Sequence, residues 1–263
     1  MLKENSMMLP DDRRREIVQK VRSTSFLSIV DLSHDFGVSE MTIRRDLDWL
    51  EQMGRVRRVR GGVVIPDDQL QELSYAEKQM AGVERKSDVA KRAAEMISPG
   101  DAVLLTTGTT IRLIAQHIKT VDRLIVVTNG VDIAYELAPC QSIRTTLIGG
   151  DVRRSYAIVG LGAEKDLAGI HYVNKLFMGV DGISSLHGLT THHPMEARLY
   201  SQRMSIADEV IVVADSSKVG RSTFSFISDI SSANLLVTNA DADPEECQRL
   251  RDSGLEVELV ALS

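Results

Sequence analysis

Three short stretches carry residue types that could do chemistry. Residues 104–118, "LLTTGTTIRLIAQHI", run from an apolar strand through a hydroxyl-and-glycine loop, Thr106 to Thr110, into a helix. Backbone N–H groups and hydroxyls at a helix start suit an anion, and Gly108 permits close backbone approach. Around residues 39–60, Arg44 and Arg45 are followed by "RVRRVR" at 55–60. An arginine can form two hydrogen bonds to guanine, and like charges gathered on one short element need a counter-surface such as phosphate. An isolated run of this kind could equally be a solvated turn. The third stretch holds His187, His192 and His193 in one loop, which could bind zinc. Without a fixed i, i+4 spacing on a helix they read better as solvated or ligand-facing histidines.

The arginines need an element to aim them. Ile17, Val18 and Val21 recur at helical spacing in residues 11–23, with Asp11 and Asp12 placed to cap the start. A short helix over 28–36 leads into the turn "FGVS", where Gly37 is free to take positive φ. Ser39 then caps a helix running to about Met53, with Ile43, Leu47 and Leu50 as its apolar stripe. Met41, Arg45 and Asp48 point farthest from that stripe, and Thr42 and Arg44 flank it. A polar face of this kind fits a major groove. After Gly54, "RVRRVRGGVV" alternates basic and apolar residues, as a β-wing lying on phosphates would. A small helical packing module is the plainer alternative, and the turn, the exposed arginines and the wing together weigh against it.

The threonine loop needs a sheet. Residues 66–83 are polar and aperiodic and read as a linker. From 84 onward amphipathic helices alternate with apolar strands, which predicts a mostly parallel sheet covered on both faces. Ligands of such sheets collect beyond the carboxyl ends of the strands. Polar residues stand at five of those ends: Thr107, Gly108, Thr109 and Thr110; Thr128 and Asn129; Gly149 and Gly150 with Arg153; Asp181 and Gly182, then Thr190 and Thr191; and Asp215 to Lys218. Each could be turn chemistry alone, but five on one edge favour a ligand pocket.

Length and charge set the frame. A chain of 263 residues allows about two domains, read here as 11–65, a linker 66–83 and 84–263. Residues 11–65 carry 11 Lys and Arg against 9 Asp and Glu, whereas residues 66–263 carry 19 against 27. A mildly basic segment thus precedes an acidic body. No apolar run approaches a membrane span and no export signal is visible, so the expectation is a soluble cytoplasmic protein. Cys140 and Cys247, with no C-x-x-C, read as buried free thiols.

"DLSHDFGVSEMTIRRDLDWLEQMGRVRRVRGGV" resembles the winged helix-turn-helix of DeoR-type bacterial transcription regulators, almost contiguously over residues 13–64. The resemblance implies that Ser39, Thr42, Arg44 and Arg45 meet DNA, supported by Arg57, Arg58 and Arg60. Trp49 replaces a smaller or more polar residue, and is expected to pack against the wing. The likeness continues through "KSDVAKRAAEMISPGDAVLLTTGTT", "VVTNG", "LIGGDVRRS", "GVDGI", "GLTT" and "ADSSKVGRS". It implies a sensor domain in which Thr107, Gly108, Thr109 and Thr110 hold phosphate, with Lys78, Lys86, Asp215 and Lys218 adding charge and hydroxyl contacts. The loop of the family opens with Asp where Thr106 stands, so a carboxylate is missing. The same half resembles ribose-5-phosphate isomerase, yet Ser184 replaces that enzyme's second acid and its Lys-Gly stretch is absent. The expectation is therefore a repressor with no cofactor and no metal. Its partners would be a double-stranded DNA operator and a phosphorylated sugar, acting as a homodimer or homotetramer. A sugar-phosphate isomerase or lyase tethered to DNA is the alternative.

Overall fold

The computed structural model describes residues 10–24, 26–52, 56–59, 61–64 and 73–263. They fall into two units that divide after Asp68. The first holds α1 (Pro10–Thr24), β1 (Phe26–Ser28), α2 (Ile29–Phe36), α3 (Glu40–Gln52), β2 (Arg57–Val59) and β3 (Gly62–Val64). Its three strands form an antiparallel sheet in the order β1-β3-β2. Ser28 caps α2 by accepting from the Asp31 N–H at 3.0 Å, and Gly37 ends the helix in the left-handed region, φ 60°. Ile43, Leu47 and Leu50 are buried with Ile17, Val21, Ile29, Leu32, Val56 and Val63 in one core. The side chains of Asp11 and Asp12, and Met53 and Gly54, lie outside the described residues.

Two features of this unit lie beyond the apolar pattern. Asp46 is buried on α3 and accepts from Arg13 at 2.7 Å and Arg14 at 2.9 Å. Two arginines of the basic segment thus pin α1 to α3, and removing one member of such a buried pair costs on the order of 3–5 kcal/mol. The Arg14 guanidinium also lies 4.5 Å from the Trp49 ring centroid. Trp49 therefore stacks on α1, where the sequence pointed to the wing.

The second unit is built on a seven-stranded, all-parallel sheet in the order β15-β14-β12-β9-β4-β5-β6. Its strands are β4 (Ala102–Leu105), β5 (Leu124–Thr128), β6 (Ile143–Leu147), β9 (Val173–Gly179), β12 (Ala207–Val213), β14 (Leu235–Asn239) and β15 (Glu256–Val260). Side chains alternate between faces. Val103, Leu105, Phe177, Ile211 and Val213 join one core with α5 (Val83–Ala94), α6 (Thr109–His117) and α7 (Val131–Leu137). Leu104, Leu176, Met178, Val210 and Val212 join another with α9 (Pro194–Met204) and α10 (Pro244–Asp252). A sheet buried on both faces is what the continuous apolar runs require. An antiparallel ribbon, β7 (Asp151–Val152) with β8 (Ile158–Val159), is followed by α8 (Leu161–Ala168), and a small sheet joins β10 (Gly182–Ser184), β11 (Gly188–Thr191) and β13 (Ser225–Ser228).

Residues 66–83 are not a structureless linker throughout. A short helix, α4 (Tyr75–Met80), sits in this stretch, started by a reciprocal capping box between Ser74 and Glu77. Residues 66–72 lie outside the described residues. Cys247 is buried as expected, but Cys140 is only partly so. No helix among the described residues is long and apolar enough to cross a membrane.

Candidate functional site

The strand order decides where a ligand can sit. From β4 the chain moves outward through β5 to β6; from β9 it moves the opposite way, through β12 to β14 and β15. The crevice of such a sheet lies where the order reverses, here between β4 and β9 at their carboxyl ends. A small cleft with a free volume of about 80 Å³ opens there.

Its floor is the loop after β4. Thr107, Gly108, Thr109 and Thr110 line the cleft. Gly108 stands before α6 at φ 140°, a value that disfavours side chains, and no side chain caps that helix. The Thr107 hydroxyl is buried without a hydrogen-bond partner. A buried polar atom left unpaired in a cleft wall calls for a partner from outside the chain. Thr106, by contrast, turns away. It is wholly buried, accepts from the Gly179 N–H at 3.0 Å and so ties β4 to β9. The carboxylate missing at 106 is replaced by a strand-to-strand tie, and the cleft wall is left to its neighbours.

Charge comes from α5 and the turn after β12. Lys86 of α5 and Lys218, in the short 3-10 turn after β12, line the cleft with Asp215. Asp215 is buried and accepts from the Ser217 N–H at 3.0 Å, which holds the turn. The Asn239 side chain steadies the same loop, accepting from the Ser216 N–H at 3.1 Å and donating to the Arg85 carbonyl at 3.0 Å. Burial pushes the Lys86 ammonium below its usual value; Asp215 opposes that shift, and Lys218 and Lys78 add to it.

The far end of the cleft is acidic and fully engaged. Asp181 accepts from Lys78 at 3.0 Å and, on its other oxygen, from the Thr191 hydroxyl at 3.0 Å and the His192 N–H at 3.3 Å. Burial alone would raise its carboxyl, but Lys78, Lys218 and His192 outweigh that and hold it well below the carboxylate range. Glu196, at the start of α9, is buried and accepts from Arg153 and from Ser155 at 3.2 Å. A general base working near neutrality needs a raised pKa. Asp181 is driven the other way, and Ser184 is spent on a turn, accepting from the His187 N–H at 3.0 Å.

Of the residues singled out from sequence, Lys78, Lys86, Thr107 to Thr110, Asp181, Thr191, Asp215 and Lys218 line this cleft, whereas Gly182 and Thr190 do not. Nor do Thr128, Asn129, Gly149, Gly150 and Arg153. Strands β5 and β6 lie on the outer side of β4, which carries their ends away from the crevice. Thr128 accepts from the Gly130 N–H at 3.0 Å; Asn129 is wholly buried and donates to the Ile158 carbonyl at 3.0 Å. The Gly149 N–H donates to Asp166 at 2.8 Å. A Cβ on Gly150 would lie 2.5 Å from the Val159 carbonyl oxygen, so that glycine serves the ribbon. Arg153 acts one step back, through Glu196. Tyr75, Ser155, Glu196 and Tyr200 also line the cleft. The capping-box spacing of Ser74 and Glu77 was the one visible signal for Tyr75. His193 accepts from the Met195 N–H at 3.3 Å as the α9 cap, and the described residues contain no cluster of three or more metal-ligating side chains.

The first unit presents its own polar face. Met41 and Arg45 are exposed on α3, with Thr42 and Arg44 half-buried beside them. Ser39 caps α3, accepting from the Thr42 N–H at 3.2 Å, and its hydroxyl lies 3.0 Å from that of Thr42. Arg44 pairs with Glu40 at 3.3 Å. In the β2–β3 hairpin Arg58 pairs with Asp48 of α3, and its N–H donates to Glu51 at 2.8 Å. The wing is thereby tied to the helix it follows. Arg57 lies on β2 with its side chain outside the described residues, as is Arg60.

A helix-turn-helix with a β-hairpin wing, followed by an α/β unit with a cleft at its strand ends, defines a ligand-sensing transcription regulator. Residues 13–69 match the DeoR-like helix-turn-helix domain and residues 82–240 the DeoR C terminal sensor domain. The chain belongs to the DeoR family of transcriptional regulators and is not an enzyme. It is 36% identical over 252 residues to a putative aga operon transcriptional repressor of Escherichia coli O157:H7, covering 95% of this chain and 93% of that one. It is 33% identical to the HTH-type transcriptional regulator GlpR of Haloferax volcanii, over 95% of this chain and 98% of that one. A lactose phosphotransferase system repressor of Streptococcus mutans is 30% identical, over 92% and 97%. Among solved structures, ribose 5-phosphate isomerase A of Methanocaldococcus jannaschii covers 51% of this chain and 52% of its own, at 17% identity and a TM-score of 0.37.

Proposed function

We propose that this regulator represses a carbohydrate-utilisation operon and leaves its operator when a phosphorylated sugar enters the cleft between β4 and β9. The unpaired Thr107 hydroxyl carries the reading. It stands beside Gly108 and the uncapped start of α6, in a cleft also lined by Lys86 and Lys218. A phosphoryl group brings about two negative charges and three acceptor oxygens, which is what these groups lack. The carboxylates at the other end would accept hydrogen bonds from the hydroxyls of a sugar. The names of relatives in E. coli and S. mutans, an operon repressor and a lactose phosphotransferase system repressor, support the operon class. DNA would be met by Ser39, Met41, Thr42, Arg44 and Arg45 of α3, with Arg57, Arg58 and Arg60 on phosphates. An even number of copies would match a two-fold operator, and effector binding would shift the population away from the arrangement that spans both half-sites. The test is a titration of phosphorylated sugars against a preformed operator complex. Release by one of them at concentrations that also raise the melting temperature is expected. Release by the unphosphorylated sugar alone would overturn the phosphate reading.

A further inference from the structure

Helix α4 buries none of its side chains, so apolar packing contributes little to its attachment. Polar contacts hold it, and several of the partners belong to the cleft. Tyr75 donates its phenol to Asp132 and sets its ring edge-on to Tyr156, centroids 4.9 Å apart. Lys78 bonds Asp181 at 3.0 Å. Lys86 reaches back from α5 to the carboxyl end of α4, donating to the carbonyls of Lys78 and, at 2.6 Å, Ala81. Both lysines thus line the cleft and fasten the helix at once. The loop beneath Tyr75 is part of the same circuit. Ser155 lines the cleft and donates to Glu196, and its neighbour Tyr156 sits at φ 61°, a conformation that strains a tyrosine.

We infer that α4 is a strap tightened by the effector: a phosphoryl ligand at Thr107–Thr110 clamps this helix onto the sensor unit through Lys78 and Lys86. This rests on the reading of the cleft proposed above. The sign follows from charge. Lys78, Lys86 and Lys218 repel one another, and Asp181 and Asp215 offset two of their three charges. A dianion among them removes that repulsion and offers further acceptors to ammoniums that already grip the helix. Helix α4 is the first helix of the sensor unit in chain order.

Hydrogen exchange on the full-length chain tests this, with inorganic phosphate as the probe. The reporters are the Lys78 and Ala81 amides, which donate to Ser74 and Glu77 carbonyls at 2.9 and 3.0 Å. Saturating phosphate should slow both by about ten-fold or more, and leave the Ala138 amide of α7 unchanged. Ser74→Ala removes the capping box without touching the cleft between β4 and β9. It should speed exchange in α4 and weaken phosphate binding by a similar factor, because the closed population falls; Ser74→Asp should restore both. Phosphate that binds and raises the melting temperature, but leaves α4 exchange and the Ser74→Ala affinity unchanged, overturns the strap and spares the effector reading. Phosphate that does not bind at all overturns both.

Discussion

Arg203 donates to Asn129 at 2.8 Å, and both side chains are wholly removed from solvent. Arg203 lies on the same face of α9 as Glu196 and Tyr200, at i, i+4 and i+7, with its guanidinium 5.5 Å from the Tyr200 ring centroid. Glu196 and Tyr200 line the cleft, so the Arg203–Asn129 bond anchors the helix that carries them. The bond comes with a cost. Nε and Nη2 of Arg203 have no partner, and burial pushes the guanidinium down to about 10 despite Tyr200 and Glu196.

A stability difference follows. Arg203→Ala should cost about 3–5 kcal/mol, because it opens a cavity and orphans the Asn129 carbonyl oxygen. Arg203→Met also orphans that oxygen but fills most of the space, so it should cost less, about 1–3 kcal/mol. Urea unfolding at constant m-value measures both. Equal losses would mean that charge, not volume, is what the fold uses at this position.

The reading head makes a separate prediction. Arg45 is exposed on α3 and points away from the buried Ile43, Leu47 and Leu50. Arg45→Ala should lose about 1–3 kcal/mol of operator affinity and relax preference at one base pair. Arg58 is held to Asp48, so its charge is presented from a fixed wing. Arg58→Ala should weaken binding to every sequence alike and make the salt slope shallower by about 1. An Arg45→Ala protein with unchanged base preferences would move the reading face elsewhere on the helix.

How far the sequence reaches can be judged from the same residues. The stripe of Ile43, Leu47 and Leu50, the left-handed Gly37 and the loop Thr107–Thr110 all follow from local rules of periodicity, φ and strand-to-helix turns. Strand order does not. Thr128, Asn129, Gly149 and Gly150 stand at carboxyl ends of strands as surely as Thr107, yet β5 and β6 lie on the wrong side of β4. Pairings such as Arg13 with Asp46, 33 residues apart, or Lys78 with Asp181, 103 apart, leave no local trace either. Helix α4 is too short for periodicity to show; only Ser74 and Glu77 at capping-box spacing announced it.

Lys86 gives the effector site a pH signature. Its folded pKa lies below the usual 10.5, first through burial, with Asp215 opposing and Lys218 and Lys78 reinforcing. An anion bound nearby favours the protonated form and raises that pKa again. Affinity for a phosphorylated ligand should therefore be full below the lowered value and fall as pH rises through it, before an ordinary lysine would titrate. In that window binding should take up protons, visible as a dependence of calorimetric heat on buffer ionisation. Lys86→Met should bind more weakly and lose the proton uptake. Proton release in the wild type would contradict the assignment.

Sensing and DNA binding should come apart when the cradle is damaged. Thr109 stands at the uncapped start of α6, and Lys218 lies in the turn held by Asp215. A charge-assisted bond from Lys218 contributes about 1.5–3 kcal/mol, and the loss of the Thr109 hydroxyl adds about 1 kcal/mol more. Together these weaken effector binding by a factor of roughly a hundred to a thousand. Neither residue belongs to the winged-helix unit, so the Thr109→Ala, Lys218→Ala protein should hold its operator with near-normal affinity. It should fail to release at effector concentrations that clear the wild type, giving a repressor that stays on. Melting must be near wild type for the comparison to count, since Lys218 is half-buried and Thr109 makes no capping bond. Release at wild-type effector concentrations would place the ligand elsewhere on the chain. Loss of operator binding in the absence of effector would show that these two residues support the DNA-bound state directly.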